Sequence, residues 1–137
     1  LALVRLPAPL PSRFESATLL ARSPTKGDAV AVAGYGLARE NDPKSTGTFR
    51  SAALKAIEPY GPSKILLWAQ GTGTAGACQG DSGGPMVAGD SVVAITSWSS
   101  AGKNGSCGGL TQGILVGAQK TWIDQILARW ERTAHWD

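Results

Sequence analysis

The chain has 137 residues, which is enough for one ordinary domain and too few for two. Hydrophobic residues make up 42% and charged residues 17%, with 18 glycines and 8 prolines. This composition excludes a disordered segment, which would be less apolar, and a coiled coil, which would carry more charge and less glycine. The net charge of +3, without a run of Lys or Arg, does not predict a nucleic-acid interface. No apolar run approaches the ~20 residues of a membrane span.

The sequence begins at Leu1 rather than Met, so we expect that residue 1 is not the translational start. The chain holds two cysteines, Cys78 and Cys107, and one histidine, His135. One histidine with two widely spaced cysteines does not fit a four-ligand zinc site, so no metal or cofactor is predicted. The cysteines are either two buried thiols or one disulfide, and composition alone does not decide between them. His135, near the chain end, is interpreted as an exposed tail residue.

Short apolar runs separated by Gly, Pro, Ser and Asp predict an all-β domain. The first run, Leu1–Leu6, ends at Pro7–Pro11, because proline has no amide hydrogen to donate to a sheet. Gly89-Asp90 is a strong hairpin signal between two of the later runs. Six strands are predicted after the prolines: Ala29–Gly34, Phe49–Ile57, Ile65–Trp68, Pro85–Ala88, Ser91–Trp98 and Gly113–Val116. Two segments rich in turn formers predict loops: Leu37–Thr48 and Ser99–Gly109.

The end of the chain changes to a helical period. Five apolar side chains fall on one helix face at steps of three and four: Trp122, Ile123, Ile126, Leu127 and Trp130. Thr121 and Asp124 form a predicted capping pair, with Asp in place of the usual Glu. The pattern therefore predicts a C-terminal helix over Thr121–Arg132, docked on the strands. Trp68, Trp122 and Trp130 are interpreted as core or helix-docking residues.

Residues 78–85, which read Cys78-Gln79-Gly80-Asp81-Ser82-Gly83-Gly84-Pro85, carry the chemistry. A serine nucleophile needs an exposed Oγ and nearby backbone N–H groups that converge on one point to hold an oxyanion. Glycines allow such a loop, because they adopt unusual backbone angles and let other groups approach closely. A glycine-rich turn without function is the simpler interpretation of a bare G-x-S-G. Six specified positions in a row favour a nucleophile loop.

This segment resembles the nucleophile motif of the chymotrypsin/trypsin-like serine proteases. Other matches follow in the family's order. Leu1–Leu6 is similar to the strand after the family's catalytic Asp, and Gly34-Tyr35-Gly36 resembles its G-W-G turn. Ser97-Trp98-Ser99 resembles the substrate-binding S-W-G, and Trp122-Ile123 resembles the start of the C-terminal helix. The resemblance extends over essentially the whole chain, and the nucleophile motif is its most specific part.

The fold that the resemblance implies is a six-stranded antiparallel Greek-key barrel, the second barrel of a trypsin-like double barrel, with a C-terminal α-helix. Residues 1–11 would be a strand and linker that belong to or leave a first barrel. Residues 12–120 would form the C-terminal barrel, and residues 121–137 the helix and tail.

The resemblance also implies the role of each residue in the nucleophile loop. Ser82 would be the catalytic nucleophile, and the backbone N–H groups of Gly80 and Ser82 would form the oxyanion hole. Asp81 would order this loop by pairing with a freed N-terminal ammonium. A turn aspartate that caps its own backbone is the alternative interpretation of Asp81.

In relatives, cysteines at the places of Cys78 and Cys107 form a disulfide that ties two walls of the specificity pocket, so a disulfide is expected here. The other disulfides of animal relatives have no cysteines in this chain, which resembles bacterial members. A secreted or periplasmic location is therefore expected.

The resemblance places the substrate-binding residues on two segments. Gly76 would form the pocket floor, six residues before Ser82, with Ala77 and Gln79 beside it. Ser97, Trp98 and Ser99 would pair with an extended polypeptide substrate as an added antiparallel strand. Because Gly76 and Ala77 have no carboxylate, we expect cleavage after small or medium apolar residues rather than after Arg or Lys. The third pocket wall falls within Gly108–Gly113.

The chain does not contain the histidine and aspartate of a Ser-His-Asp triad. The leading hypothesis is therefore a serine endopeptidase of which this chain is the C-terminal part, inactive alone, with an upstream N-terminal barrel as its partner. A pseudoprotease that keeps the fold for binding is the alternative, although an intact nucleophile loop argues against it. An independent single-barrel binding domain is a third hypothesis, and the apolar run Leu1–Leu6 argues against that one.

Overall fold

The structure, a computed structural model, describes residues 1–58, 60–101 and 105–137. This part of the chain forms seven strands, one α-helix and two short 3₁₀ turns, at Pro43–Ser45 and Gly117–Gln119. The strands are β1 (Thr18–Leu19), β2 (Ala29–Gly34), β3 (Arg50–Ile57), β4 (Leu66–Gly71), β5 (Pro85–Ala88), β6 (Ser91–Ser100) and β7 (Leu110–Leu115). The helix is α1 (Lys120–Arg129).

Strands β2 to β7 form a closed antiparallel barrel in the order β6-β5-β2-β3-β4-β7, and β7 pairs back onto β6 to close it. The pairs β2–β5 and β4–β7 join strands that are not consecutive in the chain, which gives the Greek-key connection. The predicted all-β barrel with a C-terminal helix is therefore confirmed. The two-residue strand β1 adds to β6 in parallel outside the barrel, and a strand this short has no hydrophobic period to predict.

Small and medium apolar side chains fill the barrel, because alternate residues along each strand point inward. The buried core consists of Leu20, Val30, Val32, Leu54, Ala56, Leu67, Ala69, Ala77, Met86, Val93, Ala94 and Leu115. Met86 and Val93 are fully buried. Since the interior is packed with side chains, any site of this fold lies on the loops at the barrel rim.

The strands that were predicted too short extend to the polar rim. β6 continues to Ser100 and β7 begins at Leu110, because Ser99 pairs with Thr111 and Ser100 with Leu110. Part of the predicted loop Ser99–Gly109 is therefore strand. The polar side chains at this end of the ladder interrupt the apolar pattern that the prediction used.

Leu1–Leu6, within the predicted segment 1–11, forms no strand in this chain by itself, and its pairing with an upstream barrel stays a prediction. The segment has no β pairing to the described strands, and its apolar side chains are exposed, Val4 by 79% and Leu6 by 50%. A strand is stable only when a neighbouring strand accepts and donates its backbone hydrogen bonds.

The helix is confirmed, but its predicted cap is not. Asp124 does not cap the N-terminus: its carboxylate accepts hydrogen bonds from Lys120 Nζ at 2.5 Å and from Trp136 Nε1 at 2.8 Å. The helix instead continues directly from the 3₁₀ turn Gly117–Gln119, without a side-chain cap. On its apolar face Ile123 is buried, whereas Trp122 is 37% exposed.

The tail after α1 returns to the barrel. The Leu19 N–H donates to the His135 carbonyl at 2.8 Å, and the Asp137 N–H donates to the Leu19 carbonyl at 2.8 Å. The tail therefore extends the β1–β6 pair by one short bridge. None of the described helices is long and apolar enough to cross a bilayer.

Candidate active site

Ser82 lies exposed on a tight loop between β4 and β5. The Asp81 N–H donates to the Cys78 carbonyl at 3.1 Å, and the Gly83 N–H donates to the Thr96 carbonyl of β6 at 2.8 Å. Gly80 and Gly83 have φ of +93° and +85°, a region that favours glycine. The loop is thus anchored on both sides of Ser82, and its hydroxyl faces solvent.

The backbone N–H groups of Gly80 and Ser82 flank Asp81 in the predicted nucleophile loop. Across residues 1–58, 60–101 and 105–137, neither the Gly80 N–H nor the Ser82 N–H donates a hydrogen bond to another residue. A Cβ on Gly80 would lie 3.1 Å from the Cα of Gly36, so glycine also suits the space at this position. The lack of an internal acceptor is one requirement for the donors of an oxyanion hole, and both N–H groups meet it.

The Asp81 carboxylate holds the nucleophile loop against the end of β2. Its Oδ1 accepts a hydrogen bond from the Gly36 N–H at 2.9 Å, and its Oδ2 accepts one from the Cys78 N–H at 3.0 Å. A Cβ on Gly34 would lie 2.1 Å from Oδ1, and a Cβ on Gly36 would lie 2.6 Å from Cγ. Both glycines of Gly34-Tyr35-Gly36 are therefore needed for the carboxylate to approach. The sequence analysis did not predict that Gly34 and Gly36 make room for the Asp81 carboxylate, although two glycines on either side of Tyr35 are typical of a close approach to the backbone.

A cavity of about 200 Å³ lies beside the Asp81 carboxylate. Asp81, Gly34, Gly36 and Gly76 line it together with Arg50 of β3. The space is large enough for several non-hydrogen atoms next to Asp81.

Ser82 borders a cavity of about 200 Å³ that most of the predicted substrate-binding residues line. Gly76 is not among its lining residues. The lining consists of Ala77, Cys78, Gln79, Ser82, Thr96, Ser97, Trp98, Ser99 and Ser106. The fold therefore gathers five of the six predicted substrate-binding residues around the predicted nucleophile.

Gly76 packs against Gly108 and Thr111, and none of these three residues lines the cavity beside Ser82. A Cβ on Gly76 would lie 2.8 Å from the Gly108 carbonyl carbon and 2.9 Å from Thr111 Oγ1. Thr111 is fully buried and its Oγ1 accepts a hydrogen bond from the Ala77 N–H at 3.0 Å. None of these three residues has a carboxylate, and their close packing leaves no room for a side chain at position 76.

The predicted disulfide between Cys78 and Cys107 is confirmed. It closes a loop with a sequence separation of 29 residues, which the chain-entropy relation converts into ~3.6 kcal/mol of stabilisation. The Gly108 N–H also donates to the Ala77 carbonyl at 2.8 Å. The two cavity walls are thus joined by a covalent bond and a backbone hydrogen bond.

Trp98 continues the cavity into a row of aromatic rings. It is 49% exposed, and its ring centroid lies 6.1 Å from that of Trp68, in an edge-to-face arrangement. Trp68 in turn lies 5.7 Å from Tyr60. Trp68 was interpreted as a core or helix-docking residue, but it packs between two exposed rings at the rim of the site.

No histidine lines either cavity, and His135 lies exposed in the tail next to β1. The described part of the chain contains no group of three or more His, Cys, Asp or Glu side chains that could hold a metal ion. The described residues therefore bring together an exposed serine, two N–H groups without an internal acceptor and a cavity, with no histidine near the serine.

Comparison with known proteins agrees with this geometry. The family model described as Trypsin matches residues 1–123. The chain belongs to the trypsin family. It is 32% identical over 112 residues to Kallikrein-15 of Saguinus oedipus, covering 67% of this chain and 44% of that protein. It is 36% identical over 88 residues to Hypodermin-B of Hypoderma lineatum, covering 55% of this chain and 33% of that protein.

A solved structure of neuropsin, described as a serine protease expressed in the limbic system of mouse brain, superposes with a TM-score of 0.72 at 25% identity. The superposition covers 87% of this chain and 56% of neuropsin. The chain thus spans about half the length, or less, of the relatives it matches. These relatives come from primates, insects and mouse, so they give no support to the predicted bacterial type.

Proposed function

We propose that the chain is the nucleophile-bearing part of a secreted serine endopeptidase. The observation that carries the proposal is the loop around Ser82, which presents an exposed hydroxyl next to two unpaired N–H groups at the edge of a cavity. Membership of the trypsin family and the disulfide, a bond of oxidising compartments, support the proposal. The substrate is a polypeptide, and no cofactor takes part.

In the proposed reaction, the Ser82 Oγ attacks the carbonyl carbon of the scissile peptide bond. The Gly80 and Ser82 N–H groups stabilise the oxyanion that forms, and the amine leaves with the proton that the base has taken from the Ser82 hydroxyl, which gives an acyl-enzyme on Ser82. Water then hydrolyses the acyl-enzyme. Loss of one oxyanion donor costs ~3 kcal/mol of transition-state stabilisation in such sites.

Proton transfer requires a second part of the protein. A serine hydroxyl is a weak nucleophile until a base within hydrogen-bonding reach takes its proton. We propose that the base is a histidine, that an upstream barrel carries it together with an aspartate that orients it, and that the chain alone is inactive. The cavity beside Asp81 has space for a chain-terminal ammonium, and we propose that Asp81 receives one in the active protein.

The uncharged lining of the cavity beside Ser82 supports a preference for small or medium apolar residues on the acyl side of the cleaved bond. Among the residues that the structure describes, no acidic side chain lines this cavity. A buried Arg or Lys side chain would lack a counter-charge there, at a cost of several kcal/mol. The exposed ring of Trp98 would lie beside substrate residues bound to the Ser97–Ser99 backbone.

Labelling with a fluorophosphonate probe tests the proposed nucleophile. We expect rapid stoichiometric labelling of Ser82 when the chain is joined to or mixed with its upstream barrel, and very slow labelling of the chain alone. Ser82→Ala abolishes labelling, whereas Ser97→Ala, a serine of the same cavity, retains it. Absence of labelling in the complete protein would instead favour the pseudoprotease alternative. Rapid labelling of the isolated chain would contradict the need for an upstream base.

A peptide library tests the specificity. We expect the complete protein to cleave after Ala, Val and residues of similar size, with little cleavage after Arg or Lys. Cleavage sites clustered after Arg or Lys would show that the cavity beside Ser82 does not determine the specificity as proposed.

A further inference from the structure

Glu40, in the loop that follows β2, forms hydrogen bonds with Ser106, which lines the cavity beside Ser82. Its Oε1 accepts hydrogen bonds from the Ser106 N–H at 2.8 Å and from the Ser106 hydroxyl at 2.5 Å, across 66 residues of sequence. These two bonds, with a smaller contribution from the Cys107 N–H, lower the pKa of Glu40 and keep it ionised. A charged acceptor makes each of these bonds stronger than a neutral one.

Hydrogen bonds of the Ser45 side chain stabilise the loop that carries Glu40. The buried Ser45 Oγ accepts from the N–H groups of Ala38 and Arg39, each at 3.1 Å, and donates to the Asp42 carbonyl at 2.7 Å. At its start the loop is fastened to the nucleophile loop, because the Leu37 N–H donates to the Gln79 carbonyl at 2.9 Å. Glu40 is therefore held on a defined base rather than on a free loop.

The residue that Glu40 binds is connected to the cavity entrance. The Ser106 carbonyl accepts a hydrogen bond from Ser99 Oγ at 2.7 Å, and both residues line the cavity beside Ser82. The next residue, Cys107, forms the disulfide with Cys78. Fixing Ser106 therefore fixes the position of Ser99 and of the disulfide-bearing wall.

We propose that Glu40 is a positioning residue for substrate binding: it clamps Ser106 and thereby holds the entrance of the cavity in shape. Glu40 does not line the cavity itself and does not touch the reacting atoms, so it acts through Ser106 on the binding of the acyl-side residue and not on the chemical step. This role rests on the proposed endopeptidase function. It is, however, a structural statement about the chain itself, which allows a test without substrate.

Hydrogen exchange tests the clamp in the chain alone. Glu40→Ala removes the acceptor of the Ser106 N–H, so we expect the Ser106 amide to exchange about threefold to tenfold faster. Glu40→Gln keeps one acceptor oxygen and is expected to restore part of the protection. Glu15→Ala, at an exposed glutamate far along the sequence, is the control and leaves the exchange of this amide unchanged. Unchanged exchange in Glu40→Ala would overturn the clamp.

Steady-state kinetics test its consequence in the complete protein. Glu40→Ala is expected to raise KM about threefold to tenfold with kcat nearly unchanged, and Glu40→Gln to recover part of the loss. Ser106→Ala gives a smaller rise, and combining it with Glu40→Ala adds little, because both act through one contact. A fall in kcat at constant KM, or an unchanged KM, would overturn the positioning role. A complete protein that neither labels at Ser82 nor cleaves peptides would refute the endopeptidase proposal and the role of Glu40 in substrate binding. The hydrogen-exchange experiment would still decide whether Glu40 holds Ser106 in place.

Discussion

Two buried threonines on neighbouring strands use their hydroxyl groups differently. Thr111 of β7 is fully buried, and its Oγ1 accepts a hydrogen bond from the Ala77 N–H. Thr96 of β6 is 4% exposed, and its Oγ1 has no hydrogen-bond partner among the residues that the structure describes. The Thr111 hydroxyl therefore accepts a hydrogen bond from the buried Ala77 N–H, whereas the Thr96 hydroxyl is buried with no such bond among the described residues. The two residues form a matched pair for a stability measurement.

We expect Thr111→Val to lower the free energy of unfolding by about 1–3 kcal/mol, because the buried Ala77 N–H loses its acceptor while the side-chain shape is kept. The same exchange at Thr96 removes a polar atom that has no partner, so Thr96→Val is expected to be neutral within about 0.5 kcal/mol or stabilising. Urea unfolding of the two variants measures both values. Equal losses of stability would show that the Ala77–Thr111 hydrogen bond is not the cause.

At the scale of elements, α1 is fastened to the tail by one carboxylate. Asp124 accepts from Lys120 Nζ and from Trp136 Nε1, and Lys120 Nζ lies 4.6 Å from the centroid of the Trp136 ring. The hydrogen bond from Lys120 lowers the pKa of Asp124 below its ordinary value of 3.8, and the bond from Trp136 adds to the effect. The tail in turn bonds to β1, so this cluster links the helix to the edge of the barrel.

We expect Asp124→Asn to lower the melting temperature at neutral pH, because it removes the charge that binds Lys120. The folded-state pKa is depressed, so the contribution of the carboxylate is fully present above 3.8 and is lost as the pH falls through the folded-state value. The difference between the variant and the original protein should therefore close in acid. Asp90→Asn, in the β5–β6 hairpin turn where Asn fits equally well, is the control. A difference in melting temperature that is as large at the lowest pH at which both proteins still fold as at neutral pH would contradict the electrostatic origin.

The sequence predicts those elements whose signal is local. Pro85–Ala88 and Ala29–Gly34 are found at the predicted residues, because turn formers bound each run of apolar side chains. The role of Asp124 was missed, since its partner Trp136 comes close only after the tail folds back. The same holds for Glu40 and for Thr111, whose partners lie 66 and 34 residues away. The nucleophile loop was found because its residues are contiguous, whereas the walls around it are built from distant segments.

At the scale of the whole molecule, the N-terminal segment has the properties of an interface. Val4, Leu6 and Leu10 are exposed by 79%, 50% and 59%. Together with Leu127 and Trp130 at the end of α1, this segment lines an open cavity of about 890 Å³. An apolar run of this kind is unusual on a surface that faces water, and it is expected where another part of the protein packs. This agrees with the proposed upstream barrel.

Limited proteolysis tests this expectation. In the chain alone, the exposed bond Arg5–Leu6 should be cut rapidly by added trypsin, because no β pairing protects its backbone. In the complete protein the upstream barrel should cover this bond, and cutting there should slow by at least about tenfold, since cleavage then requires local unfolding. The bond Lys26–Gly27, in an exposed turn before β2, is the internal control and should be cut at the same rate in both forms. Equal rates at Arg5–Leu6 in both forms would mean that the segment remains exposed, and the upstream barrel would then have to pack elsewhere on the chain.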